Sequence, residues 1–423
     1  MTISRSNSQT RFGPPAPNYI PPTPPTPDAP GYVPPTPAQA KARALAQKRL
    51  ENGFVREAVK PHGKASLRRL AVLGNERNIA VHFPSREKKS DETLHPPQDV
   101  FAFALTTGEK TRICKETGAT ENELAAFRNL LSGKSFDLAQ VQSFAQKWDS
   151  LMPLDDDSEM HSLPGFAEIT QRCAAICSAN QRINFVHSKV DFKTEVLNPE
   201  YDLGALVKPE EQGSGPKPEV AGILNPASRS GWGKSGASKA IQDGARGTAF
   251  QGKQKALYQR QTNLVGNAPV GQAYVVPVSD DKVVFSVAGP NHKHHTGLRI
   301  KLPRLSHLLK PGHVSKSQES KLRAAYCTFF ASVDQYNADA GLTGKDAIKK
   351  LHMVPISANV FGFPKDKAAS IMAEEILRYT AQNPDIGIQV LAVNDDVLAG
   401  HVNTALGSVG ARCTTEAGVP KQA

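Results

Sequence analysis

Two short segments do most to limit what this chain can fold into: Asn225-Pro-Ala-Ser-Arg-Ser-Gly-Trp-Gly-Lys-Ser-Gly-Ala-Ser-Lys-Ala-Ile241 and Pro355-Ile-Ser-Ala-Asn-Val-Phe-Gly-Phe-Pro364. Each follows an apolar, strand-like run, sets glycines and small hydroxyl residues at a turn, and leads into a helix-like run. In an open α/β sheet, junctions of this kind bring strand ends and helix N-termini to one crevice, where ligands bind. Backbone N–H groups at such turns have no helical partner and can cradle an anion, usually a phosphate. Two of them in one domain suit a diphosphate held between two sugars.

The flanking sequence supplies the sheet that this arrangement needs. From about Phe166 the pattern predicts a helix over 167–178, a strand over 183–186, and a buried strand Val220-Ala-Gly-Ile-Leu224 after an irregular insertion at 198–218. A helix over 238–244, strands over 273–278 and 282–288, a helix over 320–339 and a strand over 352–356 follow. The helix expected over 365–379 has Ala368, Ile371, Met372, Ile376 and Tyr379 at the helical period, and a last strand is expected over 387–393. Strands alternating with helices imply a parallel-rich sheet covered on both faces.

Upstream the texture differs. Eleven prolines lie between positions 14 and 36, and proline fixes φ and lacks a donor, so this stretch is expected to be an extended, disordered leader or spacer, with docking to an aromatic-grooved domain as the alternative. The chain carries a net charge of +11, and residues 41–90 hold 13 Lys/Arg against four Glu. A block like that suits phosphate, anionic lipid or an acidic surface, or is simply solvated. It has no interleaved aromatics, so nucleic-acid binding is not inferred. A short basic helix is expected from Ala38 to Leu50 with Gly53 as its stop, a strand over 100–105, and helices over 120–131 and 137–151. These form a small helix-rich module. Asp155–Asp157 with Glu159 reads as a solvated linker rather than a metal site. The expected boundaries are a leader to 40, a basic segment and helical module over 41–162, a ligand-binding domain over 163–412, and a tail over 413–423.

Five cysteines without a C-x-x-C pair fit neither a disulfide framework nor a zinc site; Cys173 and Cys177, one helical turn apart, read as small apolar side chains. No apolar run reaches the roughly 20 residues that span a bilayer, and the amino end lacks the hydrophobic core of a Sec signal peptide. Its Ser/Pro-rich composition resembles the leaders of bacterial effectors injected into host cells, which implies a secreted, virulence-associated protein acting in host cytoplasm, the alternative being a cytoplasmic protein.

Gly231-Trp-Gly-Lys-Ser235 raises the question of a nucleotide-triphosphatase P-loop. That loop needs a glycine where this chain has Ser228, because its backbone wraps the terminal phosphates there. The P-loop is rejected.

Both turns together resemble those of macro domains. Against the family's N-A-A-N-x-x-L-x-G-G-G-G-V-D-G-A-I-H-x-A-A, the first turn matches at Asn225, Ala227, Gly233, Gly236, Ala240, Ile241 and Ala245. Against P-x-I-S-T-G-V-F-G-F-P, the second matches at Pro355, Ser357, Val360, Phe361, Gly362, Phe363 and Pro364. Pro269-Val-Gly-Gln-Ala273 is similar to the family's P-T-G-E-A turn and Val287-Ala-Gly-Pro290 to its T-V-G-P. Order and spacing agree over roughly residues 181–408. The resemblance implies a three-layer α/β/α sandwich and ADP-ribose as ligand, free or on a modified protein, with no cofactor and no bound metal.

It further implies site residues. Ser357, Asn359, Val360, Phe361 and Gly362 would face the diphosphate, with Phe361 either over a sugar or plugging the core. Asn225 and Ser228 would line the first turn, Gly233, Lys234, Ser235 and Gly236 would wrap the distal ribose, and Asp191 would take the place of an adenine-reading Asp. Departures bear on activity. Ser228 and Ser238 stand where hydrolases of the family have Asn and Asp, and Gln242 stands at a His position. A serine cannot serve as a carboxylate base near neutral pH. Lys234 adds a cation, and Asn359 replaces a glycine. A divergent ADP-ribosyl hydrolase would need acids elsewhere, of which Asp243 and Asp281 are the candidates and Asp280 a third. The alternatives are a catalytically silent reader and an interaction module that binds no nucleotide. His292, His294 and His295 read as a solvated loop.

Overall fold

The computed structural model describes residues 35–58, 105–132, 136–152, 154, 158–163, 165–208, 219–228, 236–265, 268–292, 314–358 and 361–421. The Pro-rich leader, most of the expected strand at 100–105, Asp155–Asp157, and His294 with His295 lie outside them.

Helix α1 (Pro37–Asn52) starts at a capping box between Thr36 and Gln39 and stops at Gly53. Gly53 has φ 77°, and a Cβ there would sit 2.3 Å from the Val275 carbonyl oxygen, so only glycine lets the chain turn. It turns into β1 (Phe54–Arg56). Helices α2 (Thr107–Thr117), α3 (Glu121–Leu131) and α4 (Leu138–Asp149) follow, the first two behind Thr-x-x-Glu capping boxes. Then come α5 (Phe166–Cys177), α6 (Ala179–Arg182), β2 (Ile183–Lys189), β3 (Glu195–Val196), α7 (Leu203–Val207) and β4 (Ala221–Ala227). Helices α8 (Gly236–Gly244) and α9 (Phe250–Val265) lead to β5 (Ala273–Pro277) and β6 (Lys282–Ala288). The chain ends its described course through α10 (Lys316–Thr343), β7 (Lys350–Met353), α11 (Lys365–Thr380), β8 (Gly387–Val393), α12 (Asp396–Gly407), β9 (Arg412–Ala417) and β10 (Val419–Pro420).

Eight strands form one sheet in the order β1-β5-β6-β4-β7-β8-β2-β9, and β10 pairs with β3 in a small ribbon. From β6 to β9 all neighbours are parallel; β5 runs antiparallel to β6 and to β1. The central strands are apolar on both faces, and alternate residues enter two separate cores. Leu224, Val275, Phe285 and Val390 join a large cluster with α10, α11, α12 and the helical module. Ile223, Val276, Val284 and Leu391 join a smaller one with Ile241 of α8, Phe250 of α9 and Val207 of α7. This is a mixed α/β fold: a central, mostly parallel sheet with helices on both sides, as the strand–helix alternation implies.

Several boundaries differ from those expected. Helix α1 is part of the sheet layer: Arg49 of α1 pairs with the fully buried carboxylate of Asp339 in α10, and β1 extends the sheet next to β5. The small module shares its core with the sheet layer, and Arg378 of α11 donates through Nε to the Leu130 carbonyl at 3.2 Å. Strand 387–393 is not the last, since the residues expected as a tail from 413 belong to β9 and β10. Residues 354–356 fall outside β7, which stops at Met353.

Candidate functional site

The sheet reverses its winding between β4 and β7. From β4 the chain moves outward to β6, whereas from β7 it moves the opposite way to β8. Strand β4 pairs with β6 as far as Ala227↔Ala288, yet with β7 only at Ala221, Gly222 and Ile223. Beyond Ile223 the two parallel strands therefore part, and a crevice opens at their carboxyl ends. This is where an open α/β sheet takes a ligand.

One wall is the chain after β7. The Ile356 N–H donates to the Tyr326 hydroxyl at 2.8 Å, and the Phe363 N–H donates to the Ser357 carbonyl at 3.1 Å, closing the turn. Ser357 is held in the left-handed region at φ 64°, and Gly362 at φ 66°. A side chain in that region is strained, so the conformation is maintained by its surroundings. Gly289 is one of them: a Cβ there would lie 2.3 Å from Ser357 Oγ and 2.6 Å from Ile356 Cγ2. Beside it the His292 N–H donates to the Phe361 carbonyl at 2.9 Å. The two phenylalanines separate in role. Phe363 is the core plug, at 1 % exposure, and Phe361 is half-buried at the crevice. Helix α11 begins directly after Pro364, and among the described residues no side chain caps its amino end. Its first-turn N–H groups and positive dipole end therefore face the turn, a setting that favours an anion.

The other wall follows β4. Asn225 is fully buried on that strand and donates through Nδ2 to Ser286 Oγ at 2.9 Å. Ser228 is half-buried just past the strand. Gly236 opens α8 at φ 58°, and Ser238, two residues on, is buried with its hydroxyl unbonded among the described residues. Gly233, Lys234, Ser235, Asn359 and Val360 lie outside the described residues.

Asp191 stands in the turn after β2, at the same end of the sheet. Strand β2 is two places from β7, about 10 Å across the sheet. Its carboxylate accepts the Lys193 N–H at 3.0 Å and the Thr194 hydroxyl at 3.2 Å, while Asn394 clamps the preceding Val190 by both its N–H and its carbonyl. The turn is thus fixed and exposed, beside Phe192 at 58 % exposure.

The two acids expected as bases are placed elsewhere. Asp281 precedes β6 and so sits at the amino end of the sheet, about 20 Å of strand away from the crevice. Lys282 and the Ser279 hydroxyl occupy its carboxylate. Asp280 adjoins it at the same wrong end. Asp243 lies in the last turn of α8 with its side chain 41 % exposed, paired to Lys239 and to Arg246 at 2.9 Å. Those bonds, chiefly that from Lys239, hold its carboxyl below the usual range and make it a poor proton acceptor.

Sequence reasoning missed two groups. One is the pair of buried side chains that carries Asn225, namely Ser286 and Gln254, to which Gln242, legible in the sequence only as standing at a His position, is bonded. Its trace in the sequence is Ser286 alone in the apolar run Lys282-Val-Val-Phe-Ser-Val-Ala288. The other is His187 on β2, buried, with Nε2 3.3 Å from Asp396 at the carboxyl end of the sheet. Among the described residues no cluster of His, Cys, Asp and Glu suits a metal ion, and no helix is long and apolar enough to cross a membrane.

Residues 224–372 match the family model described as Macro domain, a span that includes both crevice walls and the crossover between them. Among solved structures, the chain is similar to an Oceanobacillus iheyensis macrodomain with ADP, at 20% identity and TM-score 0.31, over 44% of this chain and 83% of that one. It is also similar to a Trypanosoma brucei macrodomain in complex with ADP-ribose, at 12% identity and TM-score 0.32, over 68% of this chain and 97% of that one. No curated protein matches the chain.

Proposed function

We propose that the crevice between β4 and β7 binds ADP-ribose, free or attached to a protein, and that the protein reads this modification. The observation that carries it is the parting of β4 from β7 at the winding reversal, with left-handed turn residues and the uncapped end of α11 on one side. A diphosphate fits there because the turn's backbone N–H groups and the helix dipole both favour negative charge. The macro family match over 224–372 supports the same ligand.

Binding is favoured over hydrolysis. Asp281 and Asp280 lie at the far end of the sheet, Asp243 is held in an exposed ion pair, and Ser228 and Ser238 are not carboxylates. General-base help contributes about 10²–10⁴-fold where it exists, and these residues do not provide it. Calorimetry with ADP-ribose tests the ligand. Wild type is expected to bind, and Gly362→Glu, which adds a carboxylate and bulk beside the diphosphate, to lose binding while remaining folded, with a melting temperature lowered by the strain of a side chain at φ 66°. Undiminished affinity in the folded Gly362 variant would reject the crevice as the site.

A further inference from the structure

Strand β9 ends beside β2 at the pair Ala417↔Lys189, and the chain then folds as β10 against β3, over the turn that follows β2. Six consecutive carbonyls, from Lys189 to Thr194, each accept a hydrogen bond there, and Gly418 and Lys421 supply the donors to four of them. The Gly418 N–H donates to Lys189 at 2.9 Å and the Lys421 N–H to Thr194 at 2.9 Å. Lys421 Nζ donates to the carbonyls of Phe192 at 2.6 Å and Lys193 at 3.1 Å. Asn394 Nδ2 donates to the Val190 carbonyl at 2.8 Å, and the Thr194 and Glu195 N–H groups share that of Asp191. Gly418 passes so close that a Cβ would lie 2.5 Å from Glu195 Oε2, the atom that accepts the Asp191 N–H at 2.9 Å.

Hydration alone does not call for these bonds. Asp191, Phe192, Lys193 and Thr194 are exposed, where water satisfies a carbonyl without help. Lys421 nonetheless gives up rotamer freedom to hold two of them. What the bonds provide is a single conformation. The turn is also tied to the anion-facing wall. Asn394 brackets Val190, and the next residue, Asp395, holds Nζ of Lys365 at 2.6 and 2.7 Å, the first residue of α11. Strand β10, the turn after β2 and the start of α11 thus form one connected frame at the crevice end of the sheet. A loop ordered before its ligand arrives spares the complex the cost of ordering it.

We propose that β10 and Lys421 form a clasp on the turn after β2, with Gly418 and Lys421 as positioning residues that set the affinity of the crevice through that turn rather than by contact with the ligand. This rests on the crevice being the ADP-ribose site.

The test joins calorimetry with ADP-ribose to amide hydrogen exchange of the free protein, both on the full chain. Lys421→Met, which keeps the stem and removes the donor, should speed exchange at Lys193, Thr194 and Glu195 and weaken ADP-ribose about three- to tenfold. Lys421→Arg, which can donate to both carbonyls, should restore both readouts. Gly418→Val, which pushes β10 off Glu195, should reproduce the losses by a second route; melting temperatures identify any variant that has not folded. In an Asp191→Ala background Lys421→Met should cost no more than about twofold, because the turn it acts through is already loosened. Faster exchange with unchanged affinity overturns the proposal, as does a loss that adds in full to that of Asp191→Ala. Wild-type binding that neither Lys421→Met nor a folded Gly418→Val alters removes this inference alone and leaves the crevice assignment standing. A wild type that binds no ADP-ribose removes both together.

Discussion

At the scale of single residues, Gly289 and Ser357 show how the second turn is built. The turn needs Ser357 at φ 64°, and Gly289 allows the neighbouring strand end to pass so close that a methyl group would collide with Ser357 Oγ and Ile356 Cγ2. Serine can turn its hydroxyl aside, but the isoleucine branch is packed in the core. Gly289→Ala is therefore expected to destabilise by about 1–3 kcal/mol, the range for overpacking, and to weaken ADP-ribose binding by shifting the turn. Denaturant melts alongside calorimetry would check both; an Ala variant with native stability and affinity would show that the turn is free to relax. His352, next to the crevice on β7, is 2 % exposed, and burial, aided by Lys350 and Lys282, pushes its imidazole down to about 3. The sign follows: the folded state holds the neutral ring, so stability is complete above the unfolded value near 6.5 and falls as pH drops toward 3. The slope is at most about 1.4 kcal/mol per pH unit for one proton. Replacing it in His352→Gln should flatten the acid limb of a stability–pH curve, and an unaltered limb would point to other groups.

At the scale of elements, legibility followed the strength of each pattern. Strands β6 and β8 stand at the positions their apolar runs predict, and α11 has the expected period. Helix α9, Phe250-Gln-Gly-Lys-Gln-Lys-Ala-Leu-Tyr-Gln, was not legible because its buried contacts include the polar Gln254 and so break the apolar stripe. Strand β9, Arg412-Cys-Thr-Thr-Glu-Ala417, is a sheet edge exposed along much of its length and reads as polar tail. Of the candidate site, the two turns are legible from their glycines, whereas the residues around Asp243 and Asp281 carry no sign of where either lies relative to the crevice. Helix α1 was foreseen as a helix, yet its docking depends on one partner nearly 300 residues away. Arg49→Met should leave Asp339 as a buried charge bonded only by Gln335 among the described residues, at a cost of about 3–5 kcal/mol. A loss below about 1 kcal/mol in a thermal or urea melt would mean that α1 is held by its apolar contacts instead.

At the scale of the whole molecule, Asp280 and Asp281 lie at the opposite end of the sheet from the crevice, and Asp243 is held in an exposed ion pair. Little or no release of ADP-ribose from an acidic-residue-linked modified protein is therefore expected, and Asp243→Asn, Asp281→Asn and Ser238→Ala should not alter what is released. Rapid turnover abolished by any one of them would make the protein a hydrolase rather than a reader. The outermost pairings carry a different consequence. Strand β1 waits for β5 and strand β2 waits for β9, each more than 200 positions later, and β3 waits likewise for β10. Contacts so remote in sequence form late, because loop closure must precede any gain from them. A nascent chain must therefore keep the edges of β2 and β3 unpaired until residue 420 has left the ribosome, and through that interval the crevice-bearing sheet is incomplete and open to chaperones and to mispairing.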